Sequence, residues 1–313
     1  MEWSVAIFSS RETVQTLIST IDALLKAAND VATVVDVMIN GNRELADEAG
    51  RHIETLQPVG RPRTIIRVWY IQVADKAHAW NQYVRDILPS SDVVFFVDGY
   101  VQVMPDALKL ISDGFNDAPK ALAASGVPTI GRSAGMQTEL MLREGGIHGN
   151  LYAVRRDFVG QLRSTDFRLP LGIYRTDGVL GAVICFALDP AKNDWDSARI
   201  FVHPRATWKI RPSSFLSLAD VRSHFKKVMR QAQGVLENLA VRQHMAIEKK
   251  TPQSLPRTTT ELIEIWIASN PAMAFKAMLR NPLCLIAARR IRRVRDWSEA
   301  SVPAYLVAQV TLE

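Results

Sequence analysis

The constraint that most narrows the fold is an alternation of short apolar runs with amphipathic stretches that continues to about residue 210. WSVAIFS (3–9) is an apolar run of strand length, and Arg11 to Ala28 follows with Val14, Leu17, Ile18, Ile21, Leu24 and Leu25 at helical spacing. ATVVDVMING (32–41) reads as a buried strand ending in a polar turn, and Glu44 to Leu56 as a second helix. TIIRVWYIQV (64–73), Lys76 to Ile87 and SDVVFFVDG (91–99) repeat the pattern as strand, helix, strand. Pro105 then opens another helix, at the first-turn position that proline favours. Such alternation calls for a mostly parallel sheet with helices on both faces, and open sheets of that kind take ligands beyond the carboxyl ends of their strands. SSRE (9–12), NGN (40–42) and DGY (98–100) all fall at such ends, so they are expected to share one crevice.

Past residue 210 the pattern changes. Leu218 to Ile247 reads as one long amphipathic helix, TPQSLPRTTT (251–260) as a connector, and Glu261 to Arg295 as two more helices broken near Asn270-Pro271 and Asn281-Pro282. The expected organisation is a domain of residues 1–215 followed by a helical extension, 216–313. The net charge of +6 is concentrated in that extension, where Arg280, Arg289, Arg290, Arg292, Arg293 and Arg295 crowd one stretch. A basic patch can attract nucleic acid, an anionic membrane surface or an acidic partner, and Trp266, Met273, Phe275, Met278 and Leu279 beside it read either as packing or as the apolar side of a helix lying on anionic headgroups. It lacks the reading helix or aromatic platform of a nucleic-acid binder, so no nucleic acid is expected. The two cysteines, Cys185 and Cys284, have no C-x-x-C spacing and lie among apolar residues, which argues against a disulfide framework or a zinc site and fits a reducing, cytoplasmic setting. MEWSVAIFSSRE has no basic leader, and no stretch reaches the ~18 uncharged apolar residues of a membrane span.

Several motifs together resemble the glycosyltransferase family 2 type of the GT-A fold over roughly residues 3–240. IFSSRE (7–12) occupies the place of a Pro-x-Tyr-Asn-Glu-like turn, with Arg11 and Glu12 matching and Phe8 in place of the proline. INGN (39–42) replaces an acidic turn, with Asn40 where an Asp is usual, and DKAHAWN (75–81) looks like the Gly-Lys-x-x-Ala-x-Asn helix start, with Lys76, Ala79 and Asn81 in place. FFVDGYV falls where the family has Asp-x-Asp: Asp98 is present and Tyr100 replaces the second carboxylate. YRTDGVLGAVICF (174–186) carries the Thr176-Asp177 pair expected to open a helix, and EGGIHGNLYAVRRDF (144–158) resembles the segment that lines the sugar site.

The resemblance implies an inverting transferase that moves a sugar from a nucleotide donor, a UDP-sugar, to a hydroxyl of a glycan or lipid-linked glycan, as in polysaccharide biosynthesis. Asp177 would be the catalytic base. Ser9, Arg11, Glu12, Asn40, Lys76, Asn81 and Asp98 would bind nucleotide, and Gly146, His148 and Thr176 the donor or acceptor sugar. A divalent metal (Mg²⁺ or Mn²⁺) would sit on Asp98 with His203 as a further ligand. Alternatively Lys76, Arg205, Lys209 or Arg211 would neutralise the diphosphate directly, since a phenol at Tyr100 is a poor ligand for a hard cation. KKVMRQAQG (226–234) has an Arg-x-x-x-Gly spacing, read either as a helix-surface arginine or as a remnant of the Gln-x-x-Arg-Trp segment of processive synthases. The absent Gln and Trp favour single addition. A GT-A module that binds nucleotide or glycan without transfer is the alternative. A nucleotidyltransferase would need glycine in the first loop, which FSSRET lacks. The expected location is cytoplasmic, peripheral at the inner face of the membrane.

Overall fold

A computed structural model describes residues 2–57, 62–129, 134–210, 218–293 and 295–313, with the backbone alone over 218–227. The chain divides into two compact units: Met1–Asp166 with Asp196–Ile210 and Ser298–Glu313, and Phe167–Trp195 with Arg211–Trp297.

The first unit alternates as β1 (Glu2–Ser9), α1 (Val14–Ala27), β2 (Ala32–Asn40), α2 (Arg43–Glu54), β3 (Thr64–Ile71), α3 (Lys76–Gln82) and β4 (Val93–Asp98). It continues with β5 (Val101–Val103), α4 (Ala107–Asp117), β6 (Ala123–Ser125), α5 (Ala134–Glu144), β7 (Leu151–Arg155), α6 (Arg156–Ser164), β8 (Ile200–Val202), β9 (Trp208–Ile210) and β10 (Tyr305–Leu312). Eight strands form one sheet in the order β10-β3-β2-β1-β4-β7-β6-β8, and β5 pairs with β9 in a small second sheet. The central run β3-β2-β1-β4 is parallel, whereas β7 runs antiparallel to both β4 and β6. The expected mostly parallel sheet flanked by helices is therefore present.

Period-2 geometry sends alternate side chains to opposite faces. Val5, Ile7, Val35, Val37, Ile39, Val93, Phe95 and Val97 face one core with Leu17, Ile21 and Leu24 of α1 and Leu108 and Ile111 of α4. Each such side chain, fully buried, contributes about 1.5–3 kcal/mol. The other set stacks as rings: Phe96 lies 4.8 Å from Tyr152 and 6.1 Å from Trp80 of α3, between centroids, and Phe8 stacks on Phe96 at 6.4 Å. Asp98 follows Phe96 by two residues and therefore points to the face that α3 covers. Within the sheet, Asp36 is wholly buried, and its carboxylate accepts from Arg67 (2.7 and 2.9 Å) and from Trp69 Nε1 (2.8 Å). Burial pushes its carboxyl above the usual range, against the pull of Arg67.

The second unit is helical: α7 (Thr176–Cys185), α8 (Leu218–Arg242), α9 (Thr259–Ser269), α10 (Pro271–Arg280) and α11 (Leu283–Ile291). Thr258 and Glu261 close a reciprocal capping box at the start of α9.

Four local expectations change. Helix α4 starts at Ala107 with Asp106 as its cap, so Pro105 belongs to the preceding turn. The helix expected over Lys76 to Ile87 is α-helical only to Gln82 and widens into a π turn at Tyr83–Ile87. The stretch Glu261 to Arg295 holds three helices, because each Asn-Pro step ends one helix and starts another. The C-terminal segment is not helical throughout: β10 pairs antiparallel with β3 and covers that sheet edge, so residues 298–313 group with the first unit while 167–195 group with the second. A division at 215/216 is not the division of the contacts, since Tyr305–Leu312 forms a strand whose partner lies over 200 residues upstream.

Gly99 is tightly packed at the end of β4: a Cβ there would lie 2.7 Å from Ser9 Cβ and 3.0 Å from Phe8 O. Gly99→Ala is expected to destabilise the protein by about 1–3 kcal/mol in urea unfolding, as overpacking does. Gly160→Ala, in α6 with open space around it, should be neutral or stabilising by about 0.5–1 kcal/mol. Equal effects of the two would contradict this packing.

Candidate active site

Three strand ends meet along one edge. Phe8 is level with Asp98 across β1 and β4, and Ser9 is level with Ile39 across β1 and β2. Ser9, Asn40 and Asp98 are thus the last residues of three adjacent strands, as their motif positions suggested. Gly99 N–H donates to Phe8 O at 2.8 Å, and Thr20 Oγ1 of α1 donates to Gly99 O at 3.0 Å, which holds the turn after β4 against β1.

Asp98 is engaged on both carboxylate oxygens. Oδ1 is paired with the Lys76 ammonium, and Oδ2 accepts from Tyr100 Oη at 3.1 Å. Asn150, just before β7, completes the network. With its amide oriented so that Oδ1 accepts from Trp208 Nε1 (3.0 Å), Nδ2 donates to Tyr100 Oη (3.0 Å) and Asp98 Oδ2 (3.3 Å). Asn150 is two residues before Tyr152, on the same face of the sheet as Phe96 and Asp98. Its backbone N–H donates to His148 Nδ1 (3.2 Å), and the His148 ring lies 4.9 Å from the Trp208 ring. Lys76 is set by the start of α3, where Asp75 accepts from His78 N–H (2.9 Å), and its ammonium lies 5.9 Å from the centre of the Phe8 ring. Phe8, standing where proline is usual, thus forms one wall beside Lys76. Asn81 is buried on the same helix.

The turn after β1 is organised by Glu12, whose Oε2 accepts from Ser9 Oγ (2.6 Å), Ser10 N–H (2.7 Å) and Arg11 N–H (3.0 Å). Arg11 itself is exposed. Asn40 is buried, and Gly41 follows at φ +68, with Ala74 Cβ 2.3 Å from where a side chain would begin. Asn42 caps α2 by accepting from Leu45 N–H (3.1 Å) and ties that turn to Ser10 O (3.1 Å). Gly146, at φ +131, has open space around it.

In the second unit, Thr176 opens α7 and Asp177 lies in its first turn, with Oδ1 accepting from Gly178 N–H at 2.9 Å. The segment before it is held by a residue that motif reading missed. Glu237 of α8 is wholly buried, and its carboxylate accepts from Tyr174 N–H and Arg175 N–H, both at 2.9 Å, and from Gln233 Nε2 at 2.7 Å. The Arg-x-x-x-Gly spacing serves the same contact: Arg230 lies over the Tyr174 ring (5.8 Å), and Gly234 leaves room for Arg175, whose Nε would be 2.8 Å from a Cβ there.

His203 follows β8, its Nδ1 accepts from Arg205 N–H (3.2 Å), and the charges that act on it are those of Arg205, Asp106 and Asp117. Burial, then Arg205, lowers its imidazole below the ordinary value. Arg205 and Lys209 are exposed, and Arg211 lies outside the described residues. Among the described residues no group of three or more His, Cys, Asp or Glu side chains could hold a metal ion. A divalent cation needs several hard oxygen ligands. Asp98 offers one carboxylate that already carries an ammonium, a phenol and an amide. The expected metal pair of Asp98 and His203 therefore does not fit the donor set that the fold assembles here.

This architecture is the GT-A fold of nucleotide-sugar glycosyltransferases. The chain is similar to the mannosyltransferase PcManGT from Pyrobaculum calidifontis, in complex with GDP-Man and Mn²⁺, with a TM-score of 0.54 and 15% identity over 96% of this chain and 77% of that one. It is also similar to glucosyl-3-phosphoglycerate synthase from Mycobacterium tuberculosis, in complex with Mn²⁺, UDP and phosphoglyceric acid, with a TM-score of 0.50 and 15% identity over 76% and 78% of the two chains. At such identity the likeness establishes the fold. No family model and no curated protein sequence matches the chain.

Burial raises the Glu237 carboxyl above the 4.5 of an ordinary glutamate, against the three hydrogen bonds that favour its charge. Folding therefore favours the protonated form: the contribution is full below the unfolded value and is lost as pH rises through the folded one. Glu237→Gln, which cannot ionise, should be free of that loss. The stability of the wild type relative to Glu237→Gln, read from urea midpoints, is expected to fall as pH rises from 4.5 to neutrality. A difference that does not change with pH would contradict this.

Proposed function

We propose that the protein transfers a sugar, with inversion, from a nucleotide donor to a hydroxyl of a glycan or lipid-linked glycan. The observation that carries the reading is the delivery of Asp98, with Lys76 beside it, to the carboxyl edge of a GT-A sheet next to Ser9 and Asn40. Open parallel sheets bind their ligands there. The donor proposed is a UDP-sugar: Asn40 can hydrogen-bond a uracil edge, with Ser9, Arg11 and Glu12 forming the turn beside it. Lys76, Asn81 and Asp98 meet the ribose and diphosphate, and Gly146, His148 and Thr176 the sugars.

Asp177 is proposed as the base. The acceptor oxygen forms its bond to the anomeric carbon on the side opposite the diphosphate, and the acceptor proton passes to the carboxylate. Thr176-Asp177 at the opening of α7, held from below by Glu237, is a preorganised position for such a group. UDP or GDP should raise the melting temperature, and Asp177→Asn should bind nucleotide normally while losing about 10²–10⁴-fold in transfer. An unchanged transfer rate would remove Asp177 from this role. Nucleotide binding with no turnover by the wild type would favour the non-catalytic module, the reading to which Tyr100 in place of a second carboxylate lends weight.

The acceptor is proposed to be reached at an anionic membrane surface. In α10 only Ala274 is buried, while Phe275 (68% exposed) and Leu279 (71%) stand out beside Lys276 and Arg280. On α11, Leu285 and Ile286 are exposed beside Arg289 and Arg290. Apolar side chains flanked by cations suit a layer of anionic headgroups over acyl chains. Among the described residues no helix is long and apolar enough to cross a membrane. The protein should float with phosphatidylglycerol-containing vesicles and not with pure phosphatidylcholine. Phe275→Asp with Leu279→Asp should abolish flotation, and flotation unaffected by both changes would contradict this surface.

A further inference from the structure

We propose that the site handles the donor's diphosphate without a divalent cation, with the Lys76 ammonium, positioned by Asp98, Tyr100 and Asn150, taking the ion's place. The inference rests on the nucleotide-sugar reading and concerns how that same site is built.

Three observations lead to it. Both oxygens of Asp98 are committed, Oδ1 to Lys76 and Oδ2 to Tyr100 Oη and Asn150 Nδ2. The order of donors is fixed from outside: Trp208 Nε1 donates to Asn150 Oδ1, which turns the Asn150 amide nitrogen toward Tyr100 and Asp98, so the phenol accepts from Asn150 and directs its own proton to Asp98. A cation on Oδ2 would have to displace both donors, and the phenol that replaced the second carboxylate would offer it a neutral ligand. Tyr100 is thus a partner that locks Asp98 as an acceptor of hydrogen bonds.

The ammonium is left suitably placed. The Lys76 side chain is 33% exposed against 14% for Asp98, so the pair presents its positive member to solvent. An ammonium carries three N–H groups and needs one for Asp98, and the Phe8 ring 5.9 Å away limits where the head can go. As the bond from the anomeric carbon to the diphosphate oxygen breaks, its electron pair stays on that oxygen. Lys76 donates hydrogen bonds to the growing charge and keeps its proton, while the acceptor's proton goes to Asp177. Preorganised cationic donors of this kind stabilise developing charge without reorganisation at the moment of reaction.

The test is calorimetric titration of the full chain with UDP, UMP and uridine, and with GDP in parallel, once in EDTA and once in Mn²⁺. The dissociation constant for UDP should agree within about twofold between the two conditions, and the protein alone should leave the Mn²⁺ electron paramagnetic resonance signal undiminished. Lys76→Ala, and Lys76→Gln as the variant that keeps the stem, should weaken UDP by about tenfold or more in EDTA and leave uridine within about twofold. Tyr100→Asp, which supplies a second carboxylate, should make UDP binding rise with Mn²⁺. UDP binding that requires Mn²⁺ in the wild type, or that ignores both Lys76 changes while the variants keep the wild-type melting temperature, would overturn the inference and leave the nucleotide-sugar reading standing. No binding of any nucleotide in either condition would remove both.

Discussion

The hydrogen bond from Gly99 N–H to Phe8 O, 2.8 Å long, is the contact on which the site depends. It draws the turn after β4 against the end of β1 at a distance that only glycine tolerates, because a Cβ would meet Ser9. Two consequences follow from the pleat. Asp98 leaves the sheet on the side of Phe96, toward α3 and Lys76, and Tyr100, two residues on, returns to the same carboxylate. A looser approach of β4 to β1 would let Asp98 swing away from Lys76 and dissolve the network that links it to Asn150 and Trp208.

Much of this framework was readable in the sequence. Strand and helix periods located β1 to β4 and α1 to α3 within a few residues, since those elements are long and their apolar spacing is unambiguous. The strand ends SSRE, NGN and DGY lie along one edge because β2, β1 and β4 are adjacent and parallel. β10 was not readable, because an exposed edge strand of eight residues after a helical region carries only weak alternation. Asn150 was hidden for a different reason. Its role depends on the antiparallel register of β7 on β4, and no local signal fixes a pairing across fifty residues. Glu237 lay inside a helix that reads as amphipathic surface, whereas its carboxylate is wholly buried beneath the Tyr174 and Arg175 amides.

The departures of this chain from its family resemblance are coherent when taken together. Phe8 replaces proline and walls the Lys76 head; Tyr100 replaces a carboxylate and donates to the one that remains; Asn40 replaces an acid and lowers the negative charge of the edge. Each change removes an anionic or rigid element and adds a neutral or aromatic one. A crevice with fewer carboxylates has less need of a metal to accept a diphosphate, because a single ammonium then meets less competing negative charge. All three positions lie at or just past the ends of β1, β2 and β4.

The central claim is that a nucleotide diphosphate occupies the edge formed by the ends of β1, β2 and β4. Hydrogen–deuterium exchange of the full chain with and without UDP tests it most directly, because it reports which backbone segments the ligand orders. The account predicts slower exchange at residues 9–12, 40–42 and 98–101, with little change in α9 to α11. Protection confined to the second unit, or none at saturating UDP, would contradict it.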